Sequence, residues 1–226
     1  MSHLRFLALA ALIMPVAAQA QDKQKLCQEV QDRAFTQGQW ASYKFTGGQL
    51  DGGTMRMAVV GQETHDGTPF YWVEMMMGDP KRGAEGRWIM QSLVSALGPN
   101  AKGVRSVVMK QGTQPAMRMP QQMVQMMNTS KGMDISREVA QQCQEMTIVG
   151  NEDVTVPAGH FQTIHMRHPS NGMDVWVQTS VNFAMVKTTT KDMGTIELTA
   201  QGSGAKSSIT ETPREMTGFP GAPPPR

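Results

Sequence analysis

Three histidines, His160, His165 and His168, fall in one short segment and raise the question of a metal centre. If the segment is extended, His165 faces opposite to the other two, and His160 and His168 lie about 26 Å apart at the usual rise of a strand. One ion cannot bridge that span, so solvated strand and turn histidines are the expected state. Methionine is the unusual feature of the composition, at 21 residues. It includes the run Met75-Met76-Met77 and the set Met117, Met119, Met123, Met126 and Met127. Thioether sulfur is a soft ligand that selects Cu(I), whereas the same unbranched, polarizable side chain suits the lining of a cavity for variable apolar ligands. Met123, Met126 and Met127 lie at i, i+3 and i+4, the spacing of a helix packed on a core. In a strand, Met75 and Met77 share a face that Met76 does not. Packing against a core or cavity is the leading reading, with a copper site near Met117 to Met127 as the alternative.

Trp72 and Trp176 stand in the middle of strand-like runs, where an indole fills a core and donates its N–H to a partner; lining a ligand cavity is the second reading for both. Glu74 and Asp174 are expected to be exposed acids on strand faces, because nothing sets them at the separation that glycoside chemistry needs. The chain has no G-x-S-x-G, H-E-x-x-H or phosphate loop. The expectation is a protein that does no catalysis and needs no cofactor. The formal net charge is +2, with Lys and Arg scattered, which argues against nucleic acid as a partner because that requires a concentrated basic face.

The elements that must hold these residues change period along the chain. KQKLCQEVQDRAF, Lys23 to Phe35, places Leu26, Val30 and Ala34 at helical spacing beside Cys27. After Gly38 the period becomes two, with Ala41, Tyr43 and Phe45 alternating against polar residues as in a half-buried strand. TMRMAVVGQET follows as a strand, and His65-Asp66-Gly67 supplies a hairpin turn into TPFYWVEMMM. The stretch Arg87 to Leu97 suits a strand and a helix equally. Val104 to Met109 reads as a strand. Gln121 to Asn128, after Pro120, begins a Met-rich helix that breaks near Thr129 to Gly132 and resumes toward Gln142. From Glu145 to Ala200 five or six short strands are expected, with turns at Gly150-Asn151 and at Pro169 to Gly172.

The N-terminus MSHLRFLALAALIMPVAAQA sets Arg5 before an apolar run and ends in Ala18-Gln19-Ala20, a signal-peptidase pattern, so cleavage after Ala20 and a periplasmic or secreted mature chain are expected. No stretch approaches the roughly 20 apolar residues of a membrane helix, and no Cys follows the cleavage site to take a lipid. The two cysteines, Cys27 and Cys143, are expected to form one disulfide in that oxidising compartment, with separate buried thiols as the alternative. The organisation read from the chain is a signal peptide over 1–20, one domain over 21–210 and a disordered Pro/Gly-rich tail over 211–226.

NEDVTVPAGHFQTIHMRH and the following GMDVWVQTSVNFAMVKTTTKDMGTIELTAQGSGA resemble the second half of the periplasmic lipoprotein carriers LolA, LolB and LppX. The resemblance rests on Val154 to Phe161, Asp174 to Trp176, Val186-Lys187 and Thr195 to Leu198, with Gly38, Trp40 and Tyr43 adding to it in the first half. It implies an α+β, β-rich fold in which a strongly curved antiparallel sheet, a half-barrel, wraps a few helices. It further implies an apolar small molecule or acyl chain in the concave face, for which Tyr43, Phe45, Met57, Trp72, Met123, Met127 and Trp176 are the candidate ligand-binding residues. The other functions weighed are a Met-rich Cu(I)-binding protein and a structural envelope protein that binds a protein partner by its sheet edge or Pro-rich tail.

Overall fold

The structure is a computed structural model that describes residues 16–32, 35–79, 81–95, 101–129 and 141–216. It is β-rich. Twelve strands form one curled, unclosed sheet in the order β12-β6-β5-β4-β3-β2-β1-β11-β10-β9-β8-β7. In chain order these are β1 (Trp40–Thr46), β2 (Thr54–His65), β3 (Thr68–Gly78), β4 (Arg87–Val94), β5 (Val104–Gln111), β6 (Met117–Arg118), β7 (Thr147–Val156), β8 (Gly159–Arg167), β9 (Asp174–Val177), β10 (Met185–Thr190), β11 (Gly194–Gly202) and β12 (Arg214–Glu215). Helices α1 (Val16–Asp32) and α2 (Gln121–Thr129) accompany them, and residues 141–145 are also helical. All pairings are antiparallel except β12 with β6. This is the β-rich half-barrel architecture that the resemblance implies, built from the antiparallel strands read in the sequence.

Local chemistry explains the elements. The β2–β3 hairpin turns on Asp66 and Gly67, both at positive φ, as a two-residue Asp-Gly turn requires. The ambiguous stretch after Arg87 is the strand β4, whose Leu93 and Val94 are buried between β3 and β5. Gly150-Asn151 is not a turn. Strand β7 runs through it, and the pairing with β8 slips by one residue between Ile148 and Gly150. Helix α1 begins before the expected Lys23 and buries Leu26 and Cys27 against the β7–β9 end of the sheet, where Met146, Met166 and Val175 pack. There Cys27 and Cys143 form a disulfide that closes 116 residues. Among the described residues no helix is long and apolar enough to cross a membrane. Residues 1–15 of the expected signal segment, and the expected break after Thr129, lie outside the described residues.

A strap over 203–216 crosses the sheet from β3 to β6. Glu74, expected on an exposed face, is 1% exposed beneath it. Its carboxylate accepts hydrogen bonds from Gln91 Nε2 at 2.8 Å, Ser208 N at 2.9 Å and Ser208 Oγ at 2.7 Å. Ile209 packs with Ile89, Val108 and Ala116. The stretch expected to be disordered from Glu211 is bound at its start: Glu211 accepts from Lys110 Nζ and Ala116 N, and Arg214 N and Met216 N donate to Ala116 O and Arg118 O. Residues 217–226 lie outside the described residues.

Candidate ligand-binding face

Residues directly opposite each other on antiparallel strands project to the same side of the sheet. Met57 pairs with Met75, Met75 with Met90, Met90 with Met109 and Met109 with Met117. Five methionines therefore stand in one row across β2, β3, β4, β5 and β6, on the face opposite the strap. The register shifts in these strands fall between Val59 and Gly61 and between Leu93 and Val94, outside the row. Beside it runs a second row, Tyr43, Met55, Met77 and Trp88. The period-two alternation Met55-x-Met57 and Met75-x-Met77 sends these side chains to one face.

The row lies between two apolar clusters. On one side Ala41, Tyr43, Phe45, Val186, Ile196 and Leu198 are buried, with Met55, Met57 and Met77 packed against them. On the other, Val59, Val94, Val107 and Val124 of α2 are buried, with Met90, Met109 and Met127 against them. The five methionines of the row are themselves half-buried. A depression of about 200 Å³ adjoins the second row, with Phe45, Leu50, Met77 and Lys81 in its lining.

Four of the seven candidate residues fall on or beside this face. Tyr43 and Phe45 are fully buried in the first cluster, Met57 is in the row, and Met127 packs from α2. Met123 is half-buried on α2. Trp72 is on the strap side, packed near Ile89 and Val108, with Nε1 donating to Glu63 Oε1 at 2.7 Å and the Arg118 guanidinium 6.0 Å from its ring. That hydrogen bond from Trp72 is the main reason the Glu63 carboxyl is held below its ordinary pKa. The Trp176 ring is stacked on His165 at 4.4 Å and has Lys187 Nζ at 5.1 Å from its centroid, and its Nε1 donates to Glu152 at 2.9 Å. Of the expected copper set, Met117 is in the row, Met119 and Met127 pack with the α2 cluster, and Met126 is 60% exposed.

The three histidines have separate partners. His160 meets Thr155, and His168 meets Glu145 and Ser170. His165 lies between Glu152 at 3.2 Å and Asp174 at 2.7 Å, and Arg167 also bonds Asp174. Burial raises the Asp174 pKa, but hydrogen bonds and charge from Arg167 and His165 outweigh it and hold the carboxyl below its ordinary value. This polar cluster ties β7, β8 and β9 together.

No family model matches the chain, and no curated protein matches it. Three solved structures are similar in overall arrangement. A candidate lipoprotein from Parabacteroides distasonis is 13% identical with a TM-score of 0.36, over 76% of this chain and all of that one. MucB is 12% identical with a TM-score of 0.43, over 86% of this chain and 62% of its own. A candidate exported protein with a YmcC-like fold from Bacteroides fragilis is 13% identical with a TM-score of 0.35, over 75% of this chain and 97% of that one. Similarity this remote carries no argument about ligand or activity.

Proposed function

We propose that the protein is exported, is cleaved after Ala20, and works without catalysis as a binding protein that holds one flexible apolar ligand, such as an acyl chain, along the methionine face. The observation that carries this reading is the row of half-buried methionines in register across five strands. Four interstrand steps make it about 19 Å long, against about 15 Å for the half of a bilayer's hydrocarbon core that one acyl chain occupies. Methionine adapts to a chain of variable shape better than branched residues do. Trp72 and Trp176 are left out of the binding set on the geometry above. The LolA-like resemblance of the second half supports the same class of ligand.

Titration of the oxidised protein with a fluorescent fatty acid tests the reading. Saturable binding is expected, retained when Met75 and Met90 become Leu and weakened at least tenfold when both become Glu. Equal affinity in the Glu variant, or no uptake by the wild type, would refute it. Among the described residues β7 is an end strand of the sheet, and Val149 on it is 54% exposed. That edge favours a second reading, a protein partner that adds a strand there, which Val149→Lys would weaken while probe binding stayed intact.

A further inference from the structure

Beyond that reading, we infer that the row Met57, Met75, Met90, Met109 and Met117 is a Cu(I) site built from thioethers alone. Directly opposed residues have Cβ atoms about 5 Å apart, and each methionine arm turns about three rotatable bonds. Neighbouring sulfurs on β2, β3 and β4 can thus converge on a single ion centred at Met75, and β4, β5 and β6 offer the same arrangement centred at Met109.

The donor set decides the ion. Thioethers select Cu(I), whereas carboxylate and carbonyl oxygens suit Mg, Ca and Mn, and imidazole suits Zn. The flanking positions on this face are Met55, Met77 and Trp88 on one side and Val73, Ser92 and Val107 on the other. None supplies a carboxylate or an imidazole. The acid nearest in sequence, Glu74, is engaged by the strap on the opposite face. All five residues are half-buried, which leaves the row within reach of an incoming ion. The site differs from the one expected near Met117 to Met127: it runs across the sheet, with Met117 as the sole member in common.

Anaerobic titration with Cu(I) against a chromophoric chelator tests this, with Met75→Leu/Met90→Leu as the variant and Met126→Leu/Met193→Leu as the control. Leu keeps the volume and removes the sulfur. The wild type and the control should each hold at least one equivalent, with sulfur-only coordination by X-ray absorption, and the row variant should bind at least tenfold more weakly. A wild type that holds no Cu(I), or a row variant that holds it equally well, overturns the proposal. The fatty-acid probe run on the same samples keeps that outcome separate from the apolar-ligand reading, because the Leu variant should lose copper and keep the probe.

Discussion

Replacing Glu74 probes how the strap is held. Its Oε2 accepts from two groups that can only donate there, Ser208 N–H and the Gln91 amide, while its Oε1 accepts from a hydroxyl, Ser208 Oγ. Glu74→Ala leaves the two obligate donors without an acceptor at a buried position, at about 1 to 3 kcal/mol each. Gln91 keeps its bond to Ser207 Oγ, which places the expected loss in the lower part of that combined range, at about 2 to 4 kcal/mol. Glu74→Gln is different. Its amide oxygen can occupy the Oε2 position and satisfy both donors, while its NH₂ faces a hydroxyl that can turn to accept. That change should cost less than about 1.5 kcal/mol. Urea unfolding followed by tryptophan fluorescence at neutral pH measures both, with an unchanged m-value required for the comparison. Trypsin cleavage at Lys206 should accelerate in the Ala variant alone. If Gln destabilises as much as Ala, or if Ala costs under about 1 kcal/mol, the assignment of these hydrogen bonds as the strap's anchor is wrong.

Two further outcomes follow from the covalent and ionic ties. Cys27→Ser/Cys143→Ser opens a loop of 116 residues and should lower stability by up to about 4 to 5 kcal/mol in the chain-entropy model; urea midpoints of the variant and of the reduced wild type should coincide. The Lys110 hydrogen bond pulls the Glu211 carboxyl from 4.5 down to about 2. A carboxyl lowered on folding adds stability that is present above its ordinary value and lost as pH falls toward the folded one. The strap end should therefore loosen between pH 4.5 and about 2, seen as faster exchange of the Arg214 and Met216 amides after correction for intrinsic rates. Glu211→Gln should remove that dependence, and exchange that ignores pH in the wild type would contradict it.

Much of the architecture was legible because it is written in short-range periods. Ala41-x-Tyr43-x-Phe45, the Asp66-Gly67 turn and the helix opened by Pro120 each declare themselves within a few residues. The Cys27–Cys143 pairing followed from the parity of the cysteine count. What escaped depends on partners far along the chain. Glu74 resembles any acid on a strand face until a segment 134 residues later covers it. The tail composition is loose, yet Glu211 finds Lys110 101 residues away. The methionine row is invisible in sequence because it needs four registers at once, set by hairpins of unequal length. Trp176 shows the converse. Its strand was foreseen, but its ring is engaged by His165 and Lys187, neither adjacent in sequence. Gly150 marks the same limit, for a bulge and a turn draw on the same residue types until the partner strand is known.

The disulfide also imposes an order of events on biogenesis. If the chain is exported N-terminus first, as proposed, Cys27 reaches the oxidising compartment 116 residues ahead of its mate. During that interval any bond it makes is with a foreign thiol, and α1 has none of β7 to β9 to rest on. Helix α1 is thus fastened only once Cys143 and strands β7 to β9 have followed it.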